Sequence, residues 1–287
     1  MNDRTPLGTV EPARQSGTET IPRRIIQTGK KPELSLVCEA AVANVRLLNP
    51  GFEYRFFDDE AVVTFIEQEF PEYRDTFEEF TIPIQRFDFF RYLAVYRLGG
   101  FYLDLDVFLA RSLEPLLHCA CVFPFEELTL SDFLRKEHGF DWELANYAFG
   151  AEAGHPFIKA VIDNCIRGQR DPHWAARMMK GIPAPFRGQF LVPNTTGPGL
   201  VTRTFAERVD LRKTVTVLFP EDVCDRSNWG RFGQYGVHLM QGGWRGRDSL
   251  IRRGLLRIWM SWKRRSLLRA SQRLGSTRVG DWVSHVS

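Results

Sequence analysis

Cysteine is scarce in this sequence, and no two cysteines have the C-x-x-C spacing. The five that are present (Cys38, Cys119, Cys121, Cys165 and Cys224) are an odd number, which does not suit a disulfide framework. We therefore expect scattered, reduced thiols of the kind found in cytosolic proteins.

Long apolar runs are also absent. No stretch approaches the roughly 18 uninterrupted apolar residues that a membrane-spanning helix needs. Residues 1–20 are polar and are predicted to be a disordered tail, neither a signal peptide nor a membrane anchor. Internal repeats and low-complexity tracts are missing as well. With 44% hydrophobic and 25% charged residues, the composition predicts a globular protein with ample core material, in one large domain or two small ones.

Strands and helices are predicted to alternate along the chain. The segments RRIIQT (23–28) and FEYRFF (52–57) are typical of strands, and helices are predicted over 34–49 and from Asp58 or Asp59 to about 70. This order favours parallel pairing. A helix over 84–98 should end at Gly99 and Gly100. The later predictions are strands over 99–110, 120–125, 146–150 and 214–219, helices over 155–166 and from about 199, and a Gly-rich loop over 230–248.

Two aspartates interrupt the otherwise apolar segment GGFYLDLDVFLA (99–110). In a strand, Asp104 and Asp106 would point to the same face, about 6 to 7 Å apart along the chain. Two carboxylates in a poorly solvated place repel each other, so we expect a positive charge beside them. Mg²⁺ and Mn²⁺ take such oxygen ligands, although an exposed strand end would also explain the pair.

The block RFDFFRYLAVYRLGGFYLDLDV (86–107) resembles the signature of glycosyltransferase family 32, whose members are D-x-D sugar transferases. The segments IPRRIIQT (21–28), NPGFEYRFFDDE (49–60), NTTGPGLVTR (194–203) and HLMQGGW (238–244) are similar to further elements of that family. The resemblance implies a GT-A fold, that is, a Rossmann-like mixed sheet flanked by helices. It also implies a nucleotide-sugar donor, a divalent metal and retention of anomeric configuration.

The resemblance also implies roles for individual residues. Asp104 and Asp106 would be catalytic metal ligands, and His238 would be the third ligand, unless it is a structural histidine. Trp244 would contact a donor phosphate, although the Ser that often precedes this Trp is Gly243 here. Asp88 and Arg91, three apart on one helix face, would act catalytically on the donor, with a plain ion pair as the alternative. The residues expected to bind the donor are Gln27, Thr28, Asp88, Arg91, Tyr102, Asp104, Asn146 and Trp244.

Several of these roles remain open at the level of sequence. Gln27 and Thr28 are equally well explained as the cap of the first strand, and Asn146 as a turn residue. Glu126 and Glu127 follow the next strand and could approach the site, but nothing in the sequence assigns them a role. The histidines at 118, 138, 155 and 173 lack metal-ligand spacing and are predicted to be structural or on the surface.

A basic segment closes the sequence. Residues 245–278 contain eleven Lys or Arg against one acid, and LIRRGLLRIWMSWKRRSLLRASQRL (250–274) alternates apolar and basic residues at helical spacing. A basic amphipathic helix with tryptophan predicts binding to an anionic membrane surface, with Trp259 and Trp262 in the interface. Packing of this helix onto the domain is the main alternative. Nucleic acid is not expected as a partner, since no RNA-binding motif or DNA-binding fold is evident.

These observations predict a disordered tail over 1–20, a GT-A domain over 21–248 and a basic amphipathic helical tail over 249–287. The predicted function is metal-dependent transfer of a sugar from a UDP- or GDP-sugar to a glycan or lipid-linked saccharide acceptor, using Mn²⁺ or Mg²⁺. The expected location is cytoplasmic, with peripheral attachment to the cytoplasmic face of the inner membrane through the tail. The alternatives are a nucleotide-sugar-binding protein without transferase activity and a transferase that modifies a protein. A metal-dependent phosphoesterase is disfavoured, because no second carboxylate or histidine cluster is evident.

Overall fold

The structure is a computed structural model that describes residues 18–31, 33–220, 222–223, 225–240 and 250–273. Its strands are β1 (Arg24–Thr28), β2 (Glu53–Phe57), β3 (Gly100–Leu103), β4 (Val107–Leu109), β5 (Cys121–Leu128), β6 (Trp142–Leu144), β7 (Ala148–Ala151), β8 (Thr216–Leu218), β9 (Arg231–Phe232) and β10 (Gly236–His238). Its α-helices are α1 (Leu36–Leu48), α2 (Asp59–Glu69), α3 (Arg74–Glu79), α4 (Pro83–Leu98), α5 (Asp132–Glu137), α6 (Pro156–Arg170), α7 (Pro172–Ala176), α8 (Leu191–Thr195), α9 (Pro198–Glu207) and α10 (Leu250–Arg273).

The larger sheet has seven strands in the order β2-β1-β3-β7-β5-β6, with β8 paired to β5. β1 pairs in parallel with both β2 and β3, as the alternation of strands and helices predicts. β7 is antiparallel to both β3 and β5, so the sheet is mixed, as the family resemblance implies. The predicted fold class, a Rossmann-like mixed sheet flanked by helices with a basic C-terminal helix, is confirmed.

Local signals explain where the early helices begin and end. The Asp58 side chain accepts a hydrogen bond from the backbone N–H of Ala61 and so caps α2. Pro83 occupies the first turn of α4, where its missing N–H costs nothing. Gly99 ends α4 with a φ of 63°, which favours glycine. A side chain on Gly100 would place its Cβ 2.7 Å from the Arg24 carbonyl oxygen, so the turn into β3 requires glycine.

Alternate residues of the central strands serve two different cores. Tyr102, Phe123 and Phe149 pack in one buried cluster with side chains of α2, α4, α6 and α9. Phe101 and Leu103 pack in the other, with side chains of α1, β4 and β9. β3 is therefore buried on both faces, and polar side chains follow only where the strand ends, at its carboxyl end.

The segment that follows β8 differs from the predicted loop. Residues 231–232 and 236–238 form β9 and β10, and together with β4 they make a three-stranded antiparallel sheet in the order β4-β10-β9. The glycines of this segment indicated a loop, but Gly236 lies in a strand because the pairing of β10 with β4 leaves no room for a side chain there. A Cβ at Gly236 would lie 2.6 Å from the Phe108 carbonyl oxygen.

The C-terminal helix α10 packs on the domain. Leu256 and Leu267 are buried, and Trp259 lies against Phe186 at a ring-centroid distance of 5.8 Å. Trp259 is thus half-buried against the domain, which agrees with the packing alternative for this face of the helix, while membrane binding stays a prediction. No helix among the described residues combines the length and the apolar character needed to cross a bilayer.

Candidate active site

The D-x-D residues lie in a turn and not in a continuous strand. β3 ends at Leu103 and β4 begins at Val107, so Asp104 and Asp106 occupy the connection between the two sheets. The Val107 N–H donates to the Asp104 carbonyl at 3.1 Å, which closes the turn. The expectation that both carboxylates share one face of a strand is therefore wrong.

The turn nevertheless brings the predicted metal ligands together. One side-chain ligand atom each from Asp104, Asp106 and His238 lies within 4.8 Å of the others. The Leu239 N–H donates to the Asp106 carbonyl at 3.0 Å, and the Asp104 N–H donates to the Tyr147 carbonyl at 2.7 Å. The backbone on both sides of the turn is thus fixed by residues far away in sequence.

His238 is the last residue of β10, opposite Val107 of β4. Its Nε2 lies 3.2 Å from Asp106 Oδ1, and its ring stacks on Tyr147 with centroids 4.3 Å apart. Burial opposes protonation, yet the Asp106 hydrogen bond and the charges of Asp104, Asp106 and Glu126 raise the pKa of His238. The electrostatic potential at the His238 ring is therefore negative.

This donor set fits a divalent cation of the magnesium or manganese type. Two carboxylates and one imidazole are the ligands such ions take in protein sites that leave positions for substrate phosphate and water. The negative potential at His238 is what a cation would neutralise. Cation binding by Asp104, Asp106 and His238 remains a prediction that this geometry supports.

Asp88 and Arg91 form a buried pair on α4. Their side chains are about 5% exposed, and Arg91 Nη2 lies 3.1 Å from Asp88 Oδ1. Arg91 Nη1 also lies 3.3 Å from Asp104 Oδ1, which joins the pair to the D-x-D turn. Burial alone would lower the pKa of Arg91, but Asp104, Tyr102 and Asp88 outweigh it and raise that pKa. The ion pair of the alternative is therefore present, but it is buried and extends to Asp104. The predicted catalytic and donor-binding roles stay predictions.

Asn146 belongs to the same network and is not a plain turn residue. Its Nδ2 donates to Asp88 Oδ1 at 3.1 Å and to the Tyr92 hydroxyl at 3.0 Å. Its backbone carbonyl accepts from Arg91 Nη1 at 2.8 Å. Asn146 therefore holds both charged groups of α4 in place, and any contact with the donor stays a prediction.

Thr196 completes this network, and sequence reasoning assigned it no role. Its hydroxyl donates to Asp88 Oδ2 at 2.9 Å, and its carbonyl accepts from the Tyr92 hydroxyl at 2.7 Å. Burial raises the pKa of Asp88, while Arg91 and the Thr196 hydrogen bond oppose that rise. The segment NTTGPG, which the resemblance singled out, was the available signal.

Tyr102 and Thr28 lie beside Asp104. The Tyr102 hydroxyl donates to Asp104 Oδ1 at 2.8 Å and lies 3.1 Å from Thr28 Oγ1. The Arg91 guanidinium lies over the Tyr102 ring, 4.6 Å from its centroid. Tyr102 thus fixes the orientation of the first D-x-D carboxylate, and donor contacts by Tyr102 and Thr28 stay predictions.

Gln27 holds the backbone at the start of the D-x-D turn. It is fully buried, and its amide nitrogen donates to the carbonyls of Leu103 and Asp104 at 3.3 and 3.2 Å. Its Oε1 accepts from the Tyr54 hydroxyl at 2.9 Å. These contacts make Gln27 a positioning residue for the turn, and its predicted contact with the donor stays a prediction.

Trp244, which the resemblance assigns to a donor phosphate, lies outside the described residues.

Glu126 reaches the same edge of the sheet. Its Oε2 atom is buried without a hydrogen-bond partner among the described residues. Burial raises the pKa of Glu126 to about 8, helped by the charge of Glu127 and opposed by His238. The Tyr147 hydroxyl is likewise buried without a described partner, and burial, Glu126 and Asp104 raise its pKa. No sequence pattern pointed to Tyr147.

Comparison with known proteins supports the resemblance. Residues 37–123 match a family model described as a glycosyltransferase sugar-binding region containing a DXD motif. The matched range contains the α4 pair and the D-x-D turn. The predicted resemblance to D-x-D sugar transferases of the family 32 type is therefore confirmed.

Two curated relatives are fungal enzymes. Inositol phosphoceramide mannosyltransferase 3 of Schizosaccharomyces pombe is 33% identical over 147 residues, which cover 51% of this chain and 38% of that protein. Mannosyl phosphorylinositol ceramide synthase SUR1 of Saccharomyces cerevisiae is 34% identical over 144 residues, covering 50% and 34%. The aligned region thus spans little more than a third of these relatives.

Solved structures show a remote likeness. The PaToxG glycosyltransferase aligns with 14% identity and a TM-score of 0.46, covering 67% of this chain and 72% of that one. The UDP-bound glycosyltransferase domain of the YGT toxin aligns with 10% identity and a TM-score of 0.41, covering 70% and 80%.

Proposed function

We propose that this protein transfers a sugar from a UDP- or GDP-sugar to an acceptor hydroxyl, since residues 37–123 match the model of a glycosyltransferase sugar-binding region that contains a DXD motif. The observation that carries the proposal is the convergence of Asp104, Asp106 and His238 beside the buried Arg91. A nucleoside diphosphate needs positive charge, and this site offers one fixed cation and a place for a second. Retention of configuration is part of the proposal and rests on the family resemblance.

Each residue of the site has a role in this proposal. Asp104, Asp106 and His238 would hold Mn²⁺ or Mg²⁺, which supplies Lewis-acid stabilisation of the diphosphate leaving group when bound. Arg91 stays charged and presents its guanidinium beside the turn, where it neutralises negative charge that develops on departure of the diphosphate. Its Nε has no hydrogen-bond partner among the described residues and is a further donor. Asp88, Asn146 and Thr196 keep the guanidinium in place.

For the substrates, we propose mannose as the sugar and a lipid-linked polyol or saccharide as the acceptor. The names of the fungal relatives describe mannosyl transfer to inositol phosphoceramide. Support in this chain comes from Val237, Leu239 and Met240, which are 41%, 41% and 56% exposed beside His238. Exposed apolar side chains that flank a candidate metal ligand in the sequence suit an acceptor that carries an acyl chain.

The proposal includes attachment to an anionic membrane through α10. Leu255, Ile258 and Trp262 are 54%, 68% and 66% exposed, and their spacing places them along one side of the helix. Arg257 and Arg265 lie in the same exposed region. α10 thus has a packed face, which contains Trp259, and an exposed apolar and basic face. A peripheral location on the cytoplasmic side of a membrane follows as part of the proposal.

A donor screen tests the function. Purified full-length protein with Mn²⁺ is incubated with a panel of UDP- and GDP-sugars, including GDP-mannose, and nucleoside diphosphate release is measured with and without glycerophosphoinositol. We expect release from one donor class and sugar transfer when the acceptor is present. Tight donor binding without release or transfer would favour a binding protein that lacks transferase activity. Transfer to the protein itself or to added proteins alone would favour a protein-modifying enzyme.

A further inference from the structure

Glu126 reaches the candidate site from a strand that the proposed chemistry does not use. β7 is antiparallel to both β3 and β5, so β3 and β5 run in the same direction and end at the same edge of the sheet. Asp104 follows the end of β3, and Glu126 lies near the end of β5. The charges of His238 and Asp104 both act on the Glu126 carboxyl, which places it in the same electrostatic environment.

Three buried polar atoms in this environment have no hydrogen-bond partner among the described residues. They are Glu126 Oε2, the Tyr147 hydroxyl and Nδ1 of His238. Tyr147 is 3% exposed, and its ring stacks on His238. His238 Nε2 faces Asp106, so its Nδ1 belongs to the opposite side of the ring. A buried polar atom left without a partner costs about 1 to 3 kcal/mol, so three together indicate a ligand that satisfies them.

We propose that Glu126, Tyr147 and His238 Nδ1 form a subsite that binds hydroxyl groups of a saccharide or polyol. This inference rests on the proposed function and assigns a place to the neutral part of a substrate. A hydroxyl both donates and accepts, so one or two of them pair with a carboxyl group, a phenol and a ring nitrogen together. The anionic part of the donor belongs beside Arg91 and the metal ligands.

The hydroxyls could belong to the donor sugar or to the acceptor, and binding measurements separate the two. The variants are Glu126→Gln and Tyr147→Phe, and the matched control is Glu143→Gln. Glu143 is a neighbouring carboxyl on β6 whose Oε1 accepts from the Thr129 hydroxyl. The probes, all with Mn²⁺, are the nucleoside diphosphate alone, the intact nucleotide sugar identified by the donor screen, and glycerophosphoinositol as the acceptor.

We expect both variants to bind the nucleoside diphosphate like the wild type. If the hydroxyls belong to the donor sugar, each variant should bind the intact nucleotide sugar about tenfold more weakly, the loss expected for one hydrogen bond. An acceptor subsite leaves donor binding unchanged and raises the KM for glycerophosphoinositol by about the same factor. The Glu143→Gln control should change neither quantity. Tyr147→Phe removes a single oxygen and keeps the test valid if Glu126→Gln folds poorly.

Two results would overturn the subsite. Unchanged binding and unchanged KM in both variants would show that no substrate hydroxyl pairs with these atoms. Loss of affinity for the nucleoside diphosphate alone would assign them to the diphosphate or the metal instead. If the wild type binds no nucleoside diphosphate with Mn²⁺, the proposed function itself is wrong, which is a different outcome from either of these.

Discussion

Arg91 is the residue on which the electrostatics of the site depend. It is buried between Asp88 and Asp104, and its guanidinium also donates to the Asn146 carbonyl. Lysine could not make these contacts together, because its ammonium is a compact point charge without a planar fork. Removing one partner from such a buried arrangement is costly, since the remaining charges stay desolvated.

The first prediction concerns this arginine. Arg91→Lys should lower the free energy of unfolding by about 2 kcal/mol or more and weaken nucleoside diphosphate binding about tenfold or more, because contacts are lost at a buried charge. Urea unfolding and calorimetric titration with Mn²⁺ present measure the two effects. The matched control is Arg97→Lys on the same helix, where an exposed pair with Glu69 should contribute less than about 1 kcal/mol. Equal effects of the two substitutions would contradict the role given to Arg91.

At the scale of single elements, α6 begins with an unusual cap. His155 Nδ1 accepts from the Phe157 N–H at 3.2 Å, so the imidazole must be neutral on that nitrogen. Burial lowers the pKa of His155 to about 4, opposed by a hydrogen bond with the Thr214 backbone. In the unfolded chain this histidine takes up a proton below about pH 6.5. Stability that is present above that pH is therefore lost as the pH falls towards 4.

The second prediction follows from this cap. His155→Asn keeps a good N-cap residue but removes the titrating group. The wild type should lose up to about 3 kcal/mol of its free energy of unfolding between neutral and mildly acidic solution, and the variant should not show this loss. Urea unfolding of the wild type and the variant at about pH 7 and about pH 4.5 measures this change in the free energy of unfolding. His173→Asn, at an exposed position, is the control. The same pH dependence in all three proteins would refute the assignment to His155.

The third prediction concerns the exposed face of α10. The double substitution Ile258→Ala and Trp262→Ala should release the protein from liposomes that contain anionic lipid, because it removes two large apolar groups from the interface. Co-sedimentation at low and high salt measures this. Leu47→Ala, at a position 78% exposed on α1, is the matched control and should leave binding unchanged. These substitutions are preferable to truncating the helix, because loss of Trp259 and Leu267 would uncover core side chains.

Equal sedimentation of the double variant, the control and the wild type would contradict the membrane role of α10. Sedimentation that does not weaken with added salt would also contradict it, because the basic residues are expected to act partly through screened electrostatic attraction.

At the scale of the whole molecule, local signals made much of the fold predictable. Asp58, Pro83 and Gly99 each act on the backbone within a few residues, so the boundaries of α2 and α4 followed from the sequence. The grouping of Asp104, Asp106 and His238 followed from the family resemblance, and the structure brings their side chains together.

Contacts between distant segments account for what the sequence did not predict. The segment 99–110 has strand-like composition throughout, yet it divides at the aspartates because residues 107–109 pair with residues 236–238 in a second sheet. The same pairing converts a glycine-rich stretch into β10. The polar partners Thr196 and Tyr147 acquire their roles only through tertiary contacts, so composition and periodicity gave no indication of them.

The measurement that tests the central claim most directly is Mn²⁺ binding followed by electron paramagnetic resonance, with and without GDP or UDP. The wild type should bind one Mn²⁺ per chain, more tightly when the nucleoside diphosphate is present. Asp106→Asn should weaken that binding by about tenfold or more while the protein stays folded, because it removes a charged ligand and relieves carboxylate repulsion. Equal Mn²⁺ affinity in the wild type and Asp106→Asn, or no effect of the nucleotide on either, would contradict the account.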